Sequence, residues 1–249
     1  KPTYDPKHKS EEWRNLDYAT VPIWESIPLQ SHNEVNSYCS DDYIGMLDDV
    51  APSAMRLSTS KLHVAVGRIP CKSAAEADAV ATKIEKYALN PDLGEWRNKV
   101  MLIADDEDAG VHFAQAQRVY DAWNANEFGS RTLVDRLYID QYDRVYTSVG
   151  ASYPQATKRM LQNYNDGVAY TNYIGHGGPT GWGHEHLWEW KDIESMANRR
   201  LPFMYTATCR FTPYDAPTVT AGEHLVLNPD GGAIAMITTT RTVYISQNG

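Results

Sequence analysis

Cysteine is scarce in this chain. Three cysteines in 249 residues cannot build a disulfide scaffold. Either Cys39 and Cys71 pair and leave Cys209 as a free thiol, or they are two unrelated buried thiols. Basic residues are also outnumbered, 23 against 32 acidic, for a formal charge of −9. That balance disfavours nucleic acid bound through its phosphates. No apolar run approaches the length of a membrane-spanning helix, so no transmembrane helix is expected. The start, KPTYDPKHKS, has no apolar signal segment, and the last residues follow a strand-like run. Both features suggest a processed portion of a longer protein, and compartment is not read from them. What is present is ordinary for a globular protein: 42% hydrophobic and 22% charged residues. Sixteen tyrosines and seven tryptophans against four phenylalanines favour aromatic surfaces with polar handles.

The first sixty residues are irregular. WRNLDYATVPIW suggests a short strand, and CSDDY and MLDDVAPS read as acidic turns. From Lys61 the pattern becomes regular. LHVAVG predicts a buried strand, and Ser73 with Glu76 forms a capping box for a helix. That helix carries an apolar stripe through Ala74, Ala77, Val80, Ala81, Ile84, Tyr87 and Ala88 and ends near Asn90-Pro91. A second cycle begins with VMLIA, residues 100–104, an acidic loop, and helical spacing through Phe113, Ala116, Val119, Tyr120 and Trp123. Residues 132–139 predict a strand, and Pro154 opens a helix whose apolar side includes Met160, Leu161 and Tyr164. VAYTNYI, FMYTAT and AIAMITT are further strands. Helices are expected within Leu187–Arg200 and Ala221–Leu227. This alternation predicts an α/β fold with a mostly parallel sheet flanked by helices. A division near residue 97 gives a smaller α/β unit, 1–97, before a larger one, 98–249.

The chemistry concentrates at two strand ends. Tyr173-Ile-Gly-His-Gly-Gly-Pro leaves a strand through a loop with glycine at 175, 177 and 178. Those glycines allow close backbone approach and leave His176 uncluttered. FMYTATC brings Cys209 to the end of another strand. Adjacent parallel strands place the two residues together. A nearby histidine takes the thiol proton or stabilises the thiolate, which is the arrangement nucleophilic catalysis needs. The thiolate attacks a peptide carbonyl, His176 protonates the departing amine, and water or an amine resolves the thioester. The amides of Gly177 and Cys209 are candidate oxyanion donors, each worth roughly 3 kcal/mol. The alternative is bland: a buried cysteine, a loop histidine and a tight glycine turn.

Other clusters stay open. His184 and His186 flank Glu185, and imidazole with thiolate suits zinc, but His-Glu-His lacks the helical spacing of a HExxH site. Polar surface histidines are the default for that pair. Asp105, Asp106 and Glu107 are candidates for the acid that orients His176. With Asp108 they are equally candidates for calcium, or a solvated loop. Asp41, Asp42, Asp48 and Asp49 form a weaker calcium set. Tyr173, Trp182, Trp188, Trp190 and Tyr244 are groove or core aromatics. Trp182, between two glycines, is the preferred groove residue, with Thr208, Thr240 and Tyr244 beside it.

At NYIGHGGPTGWGHE and LPFMYTATCRF the sequence resembles the gingipain-like C25 cysteine peptidases, nearest to the surface-sortase members of the type IX secretion system. GRIPCKSAAEADAVATKIEKY and AGEHLVLNPDGGAIAMITTTR extend the resemblance over much of residues 61–245. The resemblance maps the family histidine to His176, its nucleophile to Cys209 and its oxyanion glycine to Gly177. It implies a caspase-like catalytic subdomain preceded by a related smaller one. It also implies removal of C-terminal sorting domains from secreted cargo and transfer of the cargo to anionic lipopolysaccharide. Partners in a type IX attachment complex follow, as does a location on the extracellular side of the outer membrane of a Bacteroidota-type bacterium. The thiol chemistry requires no cofactor, although family members bind structural calcium. RFTPYDAPTVTAGE, after the cysteine, differs from the arginine- and lysine-specific gingipains. A secreted protease that only hydrolyses proteins and a noncatalytic secretion or adhesion module are the competing readings.

Overall fold

The computed structural model describes residues 23–24, 38–47, 61–148, 150–216 and 218–245. Most of WRNLDYATVPIW and both Asp48 and Asp49 lie outside the described residues.

Five parallel strands form the main sheet: β1 (Lys99–Ala104), β2 (Leu133–Tyr138), β5 (Tyr170–Ile174), β9 (Phe203–Ala207) and β10 (Ala235–Ile237), in the order β10-β9-β5-β1-β2. Between β2 and β5 lies a small hairpin, β3 (Val145–Thr147) with β4 (Gly150–Ser152). A three-stranded patch follows β5: β6 (Gly177–Gly178), β7 (Gly181–Trp182) and β8 (Trp188–Glu189). Among the described residues the α-helices are α1 (Ala74–Ala88), α2 (Val111–Ala125), α3 (Pro154–Asp166), α4 (Trp190–Glu194) and α5 (Ala221–Leu227).

Alternation along the central strands divides the core between the two faces of the sheet. Met101, Ile103, Tyr173 and Met204 pack with Met160 and Tyr164 of α3, Ile193 of α4 and Leu225 of α5. Ala104, Ile174 and Ala207 pack with Ala116 of α2. A sheet covered on both sides explains why β1 is an unbroken apolar run. Among the described residues, no helix is long and apolar enough to cross a membrane.

Two expectations are corrected in the region before β1. LHVAVG is not a strand, and Leu62, Val64 and Val66 are exposed. The amides of His63 and Val64 turn to the Gly45 carbonyl, at 3.0 and 3.3 Å, instead of joining a ladder. Helix α1 starts as expected, its Glu76 amide donating to Ser73 Oγ at 3.2 Å. Its buried face is different: Val80 and Lys83 are inside, while Ala81 and Ile84 face outward. Lys83 is inside because Nζ donates to four carbonyls, Leu225, Val226, Asn228 and Gly231, at 2.8–3.2 Å. These include the final turn of α5, where a cation also meets the negative end of the helix dipole. The three cysteines are free thiols.

Candidate active site

The register of β5 against β9 sets the site. Ile174 pairs with Ala207, so His176 and Cys209 each lie two residues past the same rung. Strong main-chain contacts then fix the histidine. The His176 amide donates to Asp105 Oδ2 at 2.8 Å, and its carbonyl accepts from Tyr173 Oη at 2.5 Å and from the Gly183 amide at 2.8 Å. Gly177 has no room for a side chain: a Cβ there would sit 2.5 Å from Thr208 Oγ1, so this loop packs directly on the residue before the thiol.

The turn after β1 supplies the acids, and it divides them. Asp105 is fully buried and uses both oxygens on main-chain amides, those of His176 and Asp106, each at 2.8 Å. Burial pushes its carboxyl up to about 6, opposed by those hydrogen bonds. Asp106 accepts from Tyr153 Oη at 2.5 Å and lies 3.6 Å from Arg144. Neither of these two expected orienting acids bonds the ring. His176 Nε2 instead meets Asp108 Oδ2 at 2.9 Å and Glu107 Oε2 at 3.3 Å. Asp108, considered from sequence only as a calcium ligand, is therefore the nearest acid to the ring. The backbone explains the choice: Asp108 and Ala109 have φ of 56° and 53°, left-handed for non-glycine residues, and swing the turn toward His176.

Two further histidines surround the ring. His184 stacks on His176 with centroids 4.7 Å apart, and its Nδ1 lies 2.8 Å from Glu107 Oε2. That hydrogen bond raises the His184 pKa. His112, which sequence reasoning missed, meets His176 edge-on at 5.4 Å. Its burial, with His176 beside it, lowers its pKa. The signal available in sequence was its i,i+4 spacing from Asp108 at the start of α2. His186 stands apart, against Glu189 at 3.1 Å.

On the other strand, Cys209 is half-buried and its thiol donates to the Val243 carbonyl at 3.4 Å. No hydrogen bond joins it to the His176 ring among the described residues. The segment after β10 braces this turn: Thr239 Oγ1 donates to the Thr208 carbonyl, and the Arg210 amide to the Arg241 carbonyl at 3.1 Å. Arg210, directly after the thiol, has φ of 48°.

The expected groove residues scatter. Trp182 is 1% exposed, stacked on Tyr173 at 4.2 Å and edge-on to Trp188 at 4.5 Å, so it is core. Its flanking glycine serves packing, since a Cβ on Gly181 would collide with the Trp188 carbonyl. Tyr173 and Trp188 are fully buried as well, and Trp190 packs near His224 at 5.3 Å. Thr208 is buried against Gly177. Thr240 Oγ1 donates to the Cys39 carbonyl at 3.1 Å, away from His176. Tyr244 is exposed, next in sequence to Val243.

Among the described residues, three donor groups are close enough to hold an ion: Asp105, His112 and His176; Glu107, His176 and His184; and Asp105, Asp106 and Glu185. Of the four consecutive acids, Asp105 and Asp106 share one set, Glu107 belongs to another and Asp108 to none. Asp41, from the weaker calcium set, is instead held by Arg68 through both oxygens.

The sequence profile of Peptidase family C25 matches residues 1–249. The chain belongs to Peptidase family C25. It matches no curated protein. Its fold is similar to the crystal structure of the Arg-specific cysteine proteinase gingipain R (RgpB), with TM-score 0.55 and 20% identity over 70% of this chain and 39% of that one. It is also similar to the complex of Porphyromonas gingivalis RgpB pro- and mature domains, with TM-score 0.59 and 18% identity over 75% of this chain and 43% of that one. The C25 chain therefore spans less than half the length of these solved structures. At such identity the likeness establishes the α/β fold, and the family match establishes a cysteine peptidase family.

Proposed function

We propose that this C25 chain carries the thiol centre of a PorU-like surface sortase. The observation that carries the reading is the pairing of Ile174 with Ala207, which brings an acid-held histidine and a thiol to one end of two adjacent strands. A proton on Nε2, shared with Asp108, leaves Nδ1 as the basic nitrogen. Nδ1 takes the Cys209 proton as Sγ attacks the peptide carbonyl. The C–N bond then breaks, and His176 returns the proton to the leaving amine. The thioester is resolved by an incoming amine, which gives its proton to His176 while Sγ departs. The amides of Gly177 and Cys209 are the oxyanion donors in this scheme.

Substrate and acceptor follow from the sequence resemblance: the C-terminal sorting domain of type IX cargo is removed and the cargo is joined to anionic lipopolysaccharide. The setting is the extracellular side of the outer membrane, beside other attachment-complex proteins. No cofactor enters the reaction. For a structural calcium, the oxygen-only set Asp105, Asp106 and Glu185 fits best, because buried Asp106 Oδ1 and Glu185 Oε2 have no hydrogen-bond partner. Arg144, 2.9 Å from Glu185, already neutralises part of that charge.

The test uses the full protein carrying this chain, purified cargo with its sorting domain, and an amine acceptor, read by mass spectrometry. The expected products are a Cys209 thioester and an amine-linked cargo, both lost in Cys209→Ala. Cleavage with hydrolysed product alone would leave a secreted protease. Cargo binding without thiol-dependent turnover would leave a noncatalytic module.

A further inference from the structure

The thiol mechanism gives His184 no role, yet His184 shares an acidic neighbour, Glu107, with the catalytic imidazole. The two rings lie face to face, 19° from parallel. Each directs a nitrogen to one oxygen, Glu107 Oε2: His184 Nδ1 at 2.8 Å and His176 Nε2 at 3.3 Å. The three donor atoms lie within 4.8 Å of one another. A second carboxylate borders them, since Asp108 Oδ2 is 2.9 Å from His176 Nε2. Beside it is His112, 3% exposed, with neither ring nitrogen in an aligned hydrogen bond and Nε2 only 3.2 Å from Asp108 Oδ2. Imidazole nitrogens and carboxylate oxygens converging on one point are borderline-soft donors, the set that zinc prefers and calcium does not. Zinc bonds of about 2.0–2.2 Å place tetrahedral donors roughly 3.4 Å apart, close to the separations from Glu107.

We infer that His176, His184 and Glu107, with Asp108 beside them, form a zinc site that switches the centre off by occupying the catalytic imidazole. The ion takes Nε2 of His176, the nitrogen facing the carboxylates, and the ring proton moves to Nδ1, which then cannot accept the proton of Cys209. The thiol is not a ligand, because its hydrogen points to Val243 and Cys209 belongs to none of the convergent sets. His186 is outside the site, against Glu189. The inhibitory consequence rests on the proposed peptidase reading; the binding does not.

The experiment titrates Zn2+ by calorimetry, and Co2+ by visible absorption, into the full protein and its His184→Ala, His186→Ala and Cys209→Ala variants. His184 is exposed, so its variant should fold. One equivalent should bind, weakened at least about ten-fold by His184→Ala. Affinity should stay within about two-fold in the other two variants, whose side chains lie outside the coordination shell. Zn2+ should inhibit thiol-dependent cleavage of a peptide, with the half-inhibiting concentration raised by the same factor in His184→Ala. Binding lost in Cys209→Ala and kept in His184→Ala would overturn the site and leave the peptidase reading intact. Binding through His184 in a protein without thiol-dependent turnover would keep the site and discard the peptidase. Absence of binding would overturn the site.

Discussion

Two buried charges in this molecule are solved in opposite ways. At the corner between α1 and α5, Lys83 gives its hydrogens to four carbonyls and closes a helix end. At the carboxyl end of the sheet, Asp105 accepts from two amides, but nearby Asp106 Oδ1, Glu185 Oε2 and Thr208 Oγ1 have no hydrogen-bond partner. Both groups are pushed toward neutrality by burial, Lys83 to about 8 and Asp105 to about 6. The carbonyls around Lys83 work against that shift by favouring the ammonium. Burial of a charge therefore does not mark a site. Nor do unsatisfied neighbours alone, since Glu223 Oε1 and His224 Nε2 on α5 also lack a hydrogen-bond partner; what distinguishes the sheet end is that several acids and imidazoles converge there.

The contrast is open to direct attack. Asp105→Ala frees the His176 amide, and a displaced histidine should lower kcat/KM by about 100-fold with the fold retained. If activity survives, Asp105 is mere scaffold and the contrast collapses. Lys83→Met should do the reverse, lowering stability by about 2 kcal/mol in denaturant melts while leaving activity per folded molecule unchanged. A loss of activity in the folded variant would make both corners functional. The smallest effect concerns pH. The folded chain keeps a proton on Asp105 between about pH 4 and 6 that the unfolded chain has released, so this group lowers stability as pH rises through that window. The fall should shrink in Asp105→Asn, with a remainder from Glu185, whose pKa is also raised by burial. An identical slope in the variant would assign the titration elsewhere.

Much of the larger unit was legible. β2, β5, β9 and β10 fall inside the predicted strands and β1 starts one residue before its own; β1 was the plainest, because a strand buried on both faces is a continuous apolar run. The same signal misled at LHVAVG, since β-forming residues make a strand only where a partner edge exists. The placement of His176 and Cys209 at matching strand ends was legible because strand ends and a glycine loop are local features. The choice among Asp105, Asp106, Glu107 and Asp108 was not local. It depends on the left-handed turn at Asp108 and Ala109, which sequence spacing does not reveal. Trp182 shows the same limit: glycine on both sides describes a groove lip and a tight hairpin equally well, and only the Tyr173 ring beneath it decides.

The rung joining Ile174 to Ala207 has one more consequence. His176 and Cys209 are set by the sheet and not by the 33-residue step between them, which crosses β6–β8 and α4. Insertions in the exposed parts of that connection would change what surrounds the two residues without altering the distance between their backbones. A one-residue slip of β9, by contrast, would turn the thiol to the opposite face. The scaffold thus separates what must be inherited unchanged from what is free to diversify.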